Sequence, residues 1–334
     1  MRRYHRLVPD RAALILDVDT GIDDALALLY AAASPEVDLL AVTCVSGNVA
    51  ARDVERNTRA VLELAGRGDV AVALGRETPL VKPLEIAPET HGRHGLGYAE
   101  LPPAQRALSE QHAVDVIVDA VRSRPGEVTL TTLGPLTNLA LALEREPELP
   151  RLLRAYALMG GAYRTPGNTT PTAEWNIYVD PDAAKQVFEA WAAALERDPT
   201  VERPLAIGLD VTETVRFLPE HLERLTTRLG ANSAIARFVS DALRFYFEFH
   251  QKYDGFYGAV IHDPFAVAAA IDRSLLSTQA VFVDVEAGAG LTNGMTVADW
   301  RGLTGRPPNL DVAVSGQPGA FIERFIDRVG SLLS

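Results

Sequence analysis

The chain has 334 residues, 47% hydrophobic and 23% charged, a balance that excludes a disordered chain and supplies the apolar surface for a sizeable core. Thirty-two basic residues stand against 44 acidic ones for a formal charge of −12, and no run of Lys and Arg forms a stripe for phosphates, so no nucleic-acid partner is expected. Apolar stretches fall well short of the ~20 residues that cross a bilayer, so no membrane partner is expected either.

The basic start Met1-Arg2-Arg3-Tyr4-His5-Arg6 runs into Val8-Pro9-Asp10-Arg11 and not into the apolar region of a signal peptide. Residues 12–18 are almost continuously apolar, the mark of a strand covered on both faces, and helical spacing over 24–33 follows at once. The one cysteine, Cys44, sits in the next apolar run, which points to a buried thiol and a reducing, cytoplasmic setting. The alternation continues with strand 37–45, helix 53–65 and strand 70–74. After an interruption come helix 113–121, strand 128–133, helix 139–143, strand 155–159, helix 183–194 and strand 205–209. This order predicts an α/β fold with a doubly wound, mostly parallel sheet and flanking helices, whose ligands sit outside the carboxyl ends of the strands.

Two loops, the proline-rich 75–111 and 160–179, are longer than compact domains usually carry, which marks them as functional. Beyond them, an aromatic-rich helix over 231–253, an antiparallel pair at 280–285 and 295–300, and a closing helix over 319–333 predict a small antiparallel and helical appendage. Neither a linker nor an internal repeat interrupts the chain, so a single domain over 1–334 is expected.

The chemistry begins where the first strand ends. Asp17, Asp19, Asp23 and Asp24 place four carboxylates within eight residues, at the start of a helix. Capping accounts for one of them and the helix dipole favours a second, each by ~0.5–1 kcal/mol. Four mutually repelling charges need a counter-ion. A hard divalent cation meets that need, and Ca²⁺ accepts the irregular mix of carboxylate and carbonyl oxygens that such a turn offers.

The segment Asp17-Val18-Asp19-Thr20-Gly21-Ile22-Asp23-Asp24-Ala25 resembles the N-terminal signature of the inosine-uridine-preferring nucleoside hydrolases. In the same order, Val45-Ser46-Gly47-Asn48, Leu133-Gly134-Pro135-Leu136-Thr137-Asn138-Leu139-Ala140, Met159-Gly160-Gly161, the stretch 168–182 and Ile261-His262-Asp263-Pro264 also resemble that family, so the likeness spans nearly the whole chain. It implies an enzyme that cleaves the N-glycosidic bond of ribonucleosides with water, giving ribose and free base. Asp19, Asp24, Asp263 and the carbonyl of Leu133 would hold Ca²⁺, and Asp23 would be the base that takes a proton from bound water. His262 would protonate the departing base, histidine being the side chain suited to proton exchange near neutrality.

Bond breaking of this kind passes through a ribose with oxocarbenium character, so groups gripping the sugar hydroxyls matter most in the transition state. The resemblance assigns that grip to Asn48, Asn168, Glu174 and Asn176, with Trp175, His91 and Met159 also against the substrate. Tyr246, His250, Gln251 and Tyr253 are candidates to meet the base, although aromatics at helical spacing usually pack inward. Two positions depart from the family pattern: His94 stands where an acidic residue is commoner, and Thr20 where proline is usual. The likeness further implies a homodimer or homotetramer.

Two rival readings are a magnesium-dependent phosphatase of the haloacid-dehalogenase type, with Asp17 as nucleophile, and a catalytically inactive calcium-dependent nucleoside-binding protein. The first wants Thr or Val where Gly21 stands and leaves Asn48, Glu174, Asn176 and His262-Asp263 unexplained. The absence of a P-loop argues for a free nucleoside over a nucleotide.

Overall fold

The apolar run at the start of the chain forms strand β1 (Ala12–Val18), and helix α1 (Ile22–Ala32) follows after the acidic turn. A computed structural model describes residues 11–230 and 232–332; the basic stretch 1–6, Ala231 and Leu333 lie outside the described residues. The expected alternation then proceeds through β2 (Val37–Cys44), α2 (Ala51–Leu64) and β3 (Ala71–Leu74). The proline-rich loop holds one short helix, α3 (Pro88–His91), before α4 (Ala113–Ser123), β4 (Val128–Thr132), α5 (Thr137–Arg145), α6 (Leu149–Leu152) and β5 (Ala155–Met159). The second long loop ends in α7 (Trp175–Val179), followed by α8 (Pro181–Arg197) and β6 (Leu205–Ile207).

The C-terminal part adds α9 (Leu209–Thr212), β7 (Arg216–Phe217), α10 (Pro219–Leu229), α11 (Ala234–Tyr253), β8 (Ala259–Val260) and α12 (His262–Ile271). It closes with β9 (Leu276–Val285), β10 (Thr296–Asp299), β11 (Leu310–Gly316) and α13 (Pro318–Val329).

Nine strands form one sheet in the order β10-β9-β11-β6-β5-β4-β1-β2-β3. From β3 to β11 every pairing is parallel; β9 and β10 join antiparallel at the far edge. Successive side chains of β1 alternate between two cores. Leu14 and Leu16 pack with Leu26, Phe265 and Phe321 on one face, and Ile15 with Val118, Leu139 and Trp191 on the other. Cover on both faces is why the strand had to be apolar throughout.

Strand order reverses between β1 and β4, and at that switch point Asp17 is level with Thr43 of β2 and Thr132 of β4. The acidic cluster therefore lies in the crevice where α/β sheets bind ligands. Cys44 lies just beneath it, fully buried against Thr58, and burial pushes its thiol far above the ordinary range.

Most boundaries agree with the sequence reading to within a few residues; the differences have local causes. The strand expected to reach residue 209 stops at Ile207, because Gly208 caps α9. The aromatic helix begins at Ala234, where the Ser233 hydroxyl accepts the Ala236 N–H. The expected antiparallel pair is present, but the appendage is continuous with the main sheet, because β11 pairs parallel to β6 on one side and antiparallel to β9 on the other. No helix of the described residues is long and apolar enough to cross a membrane.

Candidate active site

The turn after β1 is built from carboxylates bonded to its own backbone. Asp24 accepts the Gly21 N–H at 2.9 Å and the Asp19 N–H at 3.2 Å, so one side chain closes the turn and caps the helix that carries it. Asn48 locks two of the acids together: its backbone N–H meets Asp19 at 2.8 Å and its Nδ2 meets Asp24 at 3.1 Å. A Cβ on Gly47 would stand 2.1 Å from the Asp19 carboxylate, and one on Gly134 would stand 2.9 Å from its Cγ. The glycines of both motifs thus form a collar around Asp19 that no side chain could occupy.

Asp17 faces the sheet, accepting from Thr43 Oγ1 at 2.5 Å and Asn138 Nδ2 at 2.8 Å, while Asn138 Oδ1 accepts the Arg76 N–H. The Leu-Thr-Asn-Leu segment therefore ties together the ends of three strands. Thr20, the departure from proline, bonds Thr58 of α2 at 2.6 Å, so a tether to a neighbouring helix stands in for ring stiffness.

Helix α12 brings Asp263 to α1. Carboxylate oxygens of Asp23, Asp24 and Asp263 come within 4.8 Å of one another, and all three residues are buried. Burial, together with repulsion from Asp24, pushes Asp23 up to about 8, and burial and the neighbouring acids raise Asp19 and Asp263 well above the carboxylate range. Among the described residues none of these acids is in an ion pair with Lys or Arg, and Oδ1 of Asp19 is buried with no hydrogen-bond partner. Such a donor set suits a hard divalent cation: a charge of +2 among buried anionic oxygens removes the repulsion and satisfies the orphaned atom. The closest trio contains Asp23 where the sequence grouped Asp19 with Asp24 and Asp263.

Above this floor opens a cavity of about 620 Å³. Asp23, His262, Leu133, Asp263, Asn48, Asn168, Glu174, Trp175, Asn176, His91 and Met159 all line it; Asp19 and Asp24 belong to the floor without being exposed to the cavity. Several side chains are engaged in ways their sequence did not reveal. Glu174 caps α7, accepting from Asn176 N–H, Ile177 N–H and Gly161 N–H. Asn176 Nδ2 donates to the carbonyls of Leu133 at 2.6 Å and Met159 at 3.1 Å, which fixes the amide and leaves Oδ1 outside these bonds. Asn168 is exposed and accepts the Trp175 N–H. Trp175 is only partly buried, so it is a wall of the cavity rather than a core residue.

Three histidines line the cavity in different states. His91 Nδ1 accepts the Ile22 N–H, so its proton sits on Nε2. His250 has both nitrogens engaged, Nδ1–H donating to Asp254 at 2.6 Å and Nε2 accepting the Val260 N–H at 3.1 Å, which leaves it no free nitrogen for the substrate. His262 is held through Nδ1 by Thr212 at 2.8 Å. Burial, then the other two histidines, pushes it down to about 3.

Of the candidates on α11, Tyr246, His250 and Tyr253 line the cavity; Gln251 is on the exposed side of the helix and does not. His94 is also exposed and turned towards Asp53, 3.7 Å away, so this departure does not touch the cavity. Glu213, Arg216, Asp254 and Phe256 are among the further lining residues, and these four were not anticipated. Only the spacing of Asp254 four residues after His250 signalled one of them.

The family model for inosine-uridine preferring nucleoside hydrolases matches residues 14–323. The chain is 39% identical to the inosine-uridine preferring nucleoside hydrolase of Leishmania major, covering 90% of this chain and 91% of that one. It is 38% identical to a pyrimidine-specific ribonucleoside hydrolase of Citrobacter koseri, over 95% and 97% of the two chains. The solved purine-preferring ribonucleoside hydrolase from Gardnerella vaginalis superposes with a TM-score of 0.88 at 32% identity, over 96% and 98%. These likenesses do not favour the phosphatase or the inactive binding protein. The chain belongs to the inosine-uridine preferring nucleoside hydrolase family and is a nucleoside N-ribohydrolase.

Proposed function

We propose that Asp23 is the general base of this hydrolysis and His262 its general acid, above a calcium site formed by Asp19, Asp24, Asp263 and the Leu133 carbonyl. The observation that carries the reading is the set of buried, uncompensated carboxylates directly beneath a cavity that also holds His262. Calcium, when bound, supplies a grip on sugar hydroxyls and an acidified water. Asp23, the floor acid outside that set, takes a proton as the water oxygen bonds to the anomeric carbon.

As the C–N bond breaks, electrons move onto the base. That growing negative charge opposes the burial that keeps His262 neutral, so Nε2 takes up a proton from solvent water and passes it to the departing base, while Thr212 holds the ring through Nδ1. Glu174, Asn176, Asn168 and Asn48 grip the ribose, with Trp175 and Met159 along its edge. His91 donates from Nε2, the nitrogen left by its bond to Ile22. The products are ribose and free nucleobase. We place the chain as one domain, in the cytoplasm, as a homodimer or homotetramer.

One observation favours a second reading in which the base is Asp19: its Oδ1 is buried without a hydrogen-bond partner, an orphaned state it shares in the acidic turn with Oδ2 of the sheet-facing Asp17, and Asp23 then holds a ribose hydroxyl. Ribose release from inosine, uridine, cytidine and adenosine, with calcium and after chelation, tests the whole proposal. Asp23→Asn should lower kcat roughly a thousandfold with little change in KM. If it mainly raises KM while Asp19→Asn abolishes kcat in calcium-loaded protein, the base is Asp19. No calcium dependence, in protein shown free of metal, sinks the calcium site.

A further inference from the structure

We propose that Thr296, on the C-terminal strand β10, is a positioning residue for the ribose grip; this rests on the reading of Glu174 and Asn176 as sugar-gripping residues. Thr296 is buried, and its Oγ1 accepts the Ala162 N–H at 3.1 Å and donates to the Ala162 carbonyl at 2.7 Å. One hydroxyl thus satisfies both backbone groups of a residue in the turn after β5. The neighbouring Gly161 N–H then meets Glu174 at 2.9 Å, Glu174 meets the Asn176 N–H at 2.8 Å, and Asn176 meets the Leu133 carbonyl at 2.6 Å. Hydrogen bonds joined through the covalent Gly161-Ala162 link and through Asn176 thus run from the antiparallel edge to the cavity floor.

Other contacts hold the same turn, one from beside β10 and one from α9. Trp300 Nε1–H donates to the Tyr163 carbonyl at 3.0 Å, and Asp210 accepts the N–H groups of Tyr163 and Arg164 at 2.8 and 2.7 Å. The loop leading into β10 lies against α7 itself. Met295 bridges to Ala173, and Gly294 has φ +82°, with a Cβ there falling 2.9 Å from Tyr178 Cα. A five-residue helix such as α7 has no stability of its own, so its place is set by what is packed around it. The antiparallel extension of the sheet therefore acts as a clamp on the sugar-binding loop, with Thr296 as its innermost tooth.

The test compares Thr296→Val, Thr296→Ser, Trp300→Phe and Glu174→Gln, and combines the first with the last. Thr296→Val should lower kcat/KM for nucleosides about tenfold, in line with a small misplacement of binding groups, and shrink the rise in Tm that added ribose gives. Thr296→Ser should restore both, and Trp300→Phe should show a weaker effect of the same kind. In the Glu174→Gln background, Thr296→Val should cost less than about twofold, because both act on one group.

Full multiplicative losses in the double variant, or a lower Tm with unchanged kcat/KM and ribose response, would overturn the proposal while leaving the sugar grip intact. If Thr296→Val fails to fold, Trp300→Phe decides by the same two readouts. A Glu174→Gln variant as active as the parent brings down the grip, and the clamp with it.

Discussion

The floor and the outer wall of the cavity are built on opposite principles. On the floor, the oxygens of Asp24 and one oxygen of Asp19 are bonded to backbone or to Asn48, and glycines leave no room around them. The wall is the face of α11, where Tyr246, Phe249, His250 and Tyr253 contact one another ring to ring. His250 among them is tied by hydrogen bonds to Asp254 and to Val260. A floor of this kind fixes where charge sits and tolerates no displacement. A wall of stacked rings sets shape, and rings exchange with modest cost, which suits a surface that meets the variable part of a nucleoside.

The contrast can be broken most directly at Gly47. Gly47→Ala forces a methyl against the Asp19 carboxylate, and kcat/KM for every nucleoside should fall about a hundredfold, read as calcium-supported ribose release; near-normal turnover would mean the floor is compliant. At the wall, Tyr246→Phe keeps the ring and removes the hydroxyl. Its effect should stay within about tenfold and differ among inosine, uridine, cytidine and adenosine; an equal loss on all four would move Tyr246 from the wall to the floor.

Smallest is Thr20→Val, which breaks the 2.6 Å bond to Thr58. It should cost about 1 kcal/mol in urea unfolding and leave kcat/KM within about twofold. A larger loss of activity would show that the tether to α2 sets the carboxylates.

The same contrast governs what the sequence disclosed. Buried parallel strands read as continuous apolar runs, so β1, β2, β4 and β5 were legible almost to the residue. Strand β11, with Pro307, Pro308 and Asn309 before it and Ser315-Gly316 at its end, reads as turn chemistry and was missed, although it joins the parallel and antiparallel parts.

At the floor, residue types were legible because four acids crowded into one turn repel one another unless a cation sits among them. Their partners were not: nothing in the spacing of Asn48 or Asn176 says that one amide meets Asp24 and the other the Leu133 carbonyl, since both bonds join distant segments. The wall was legible only as a set of aromatics. Which of them face the substrate depends on the rotation of α11, and that rotation places Gln251 outside.

The sealed thiol of Cys44 has a use that follows from its place. It is the chain's one sulfhydryl, fully buried between the acidic turn and Thr58, and a thiol held in its protonated form is a poor nucleophile. An alkylating reagent can reach it only when β2 parts from α2. Its labelling rate is therefore a clock for rare openings of the very region that holds the carboxylates, and a cation that braces that region will slow the clock.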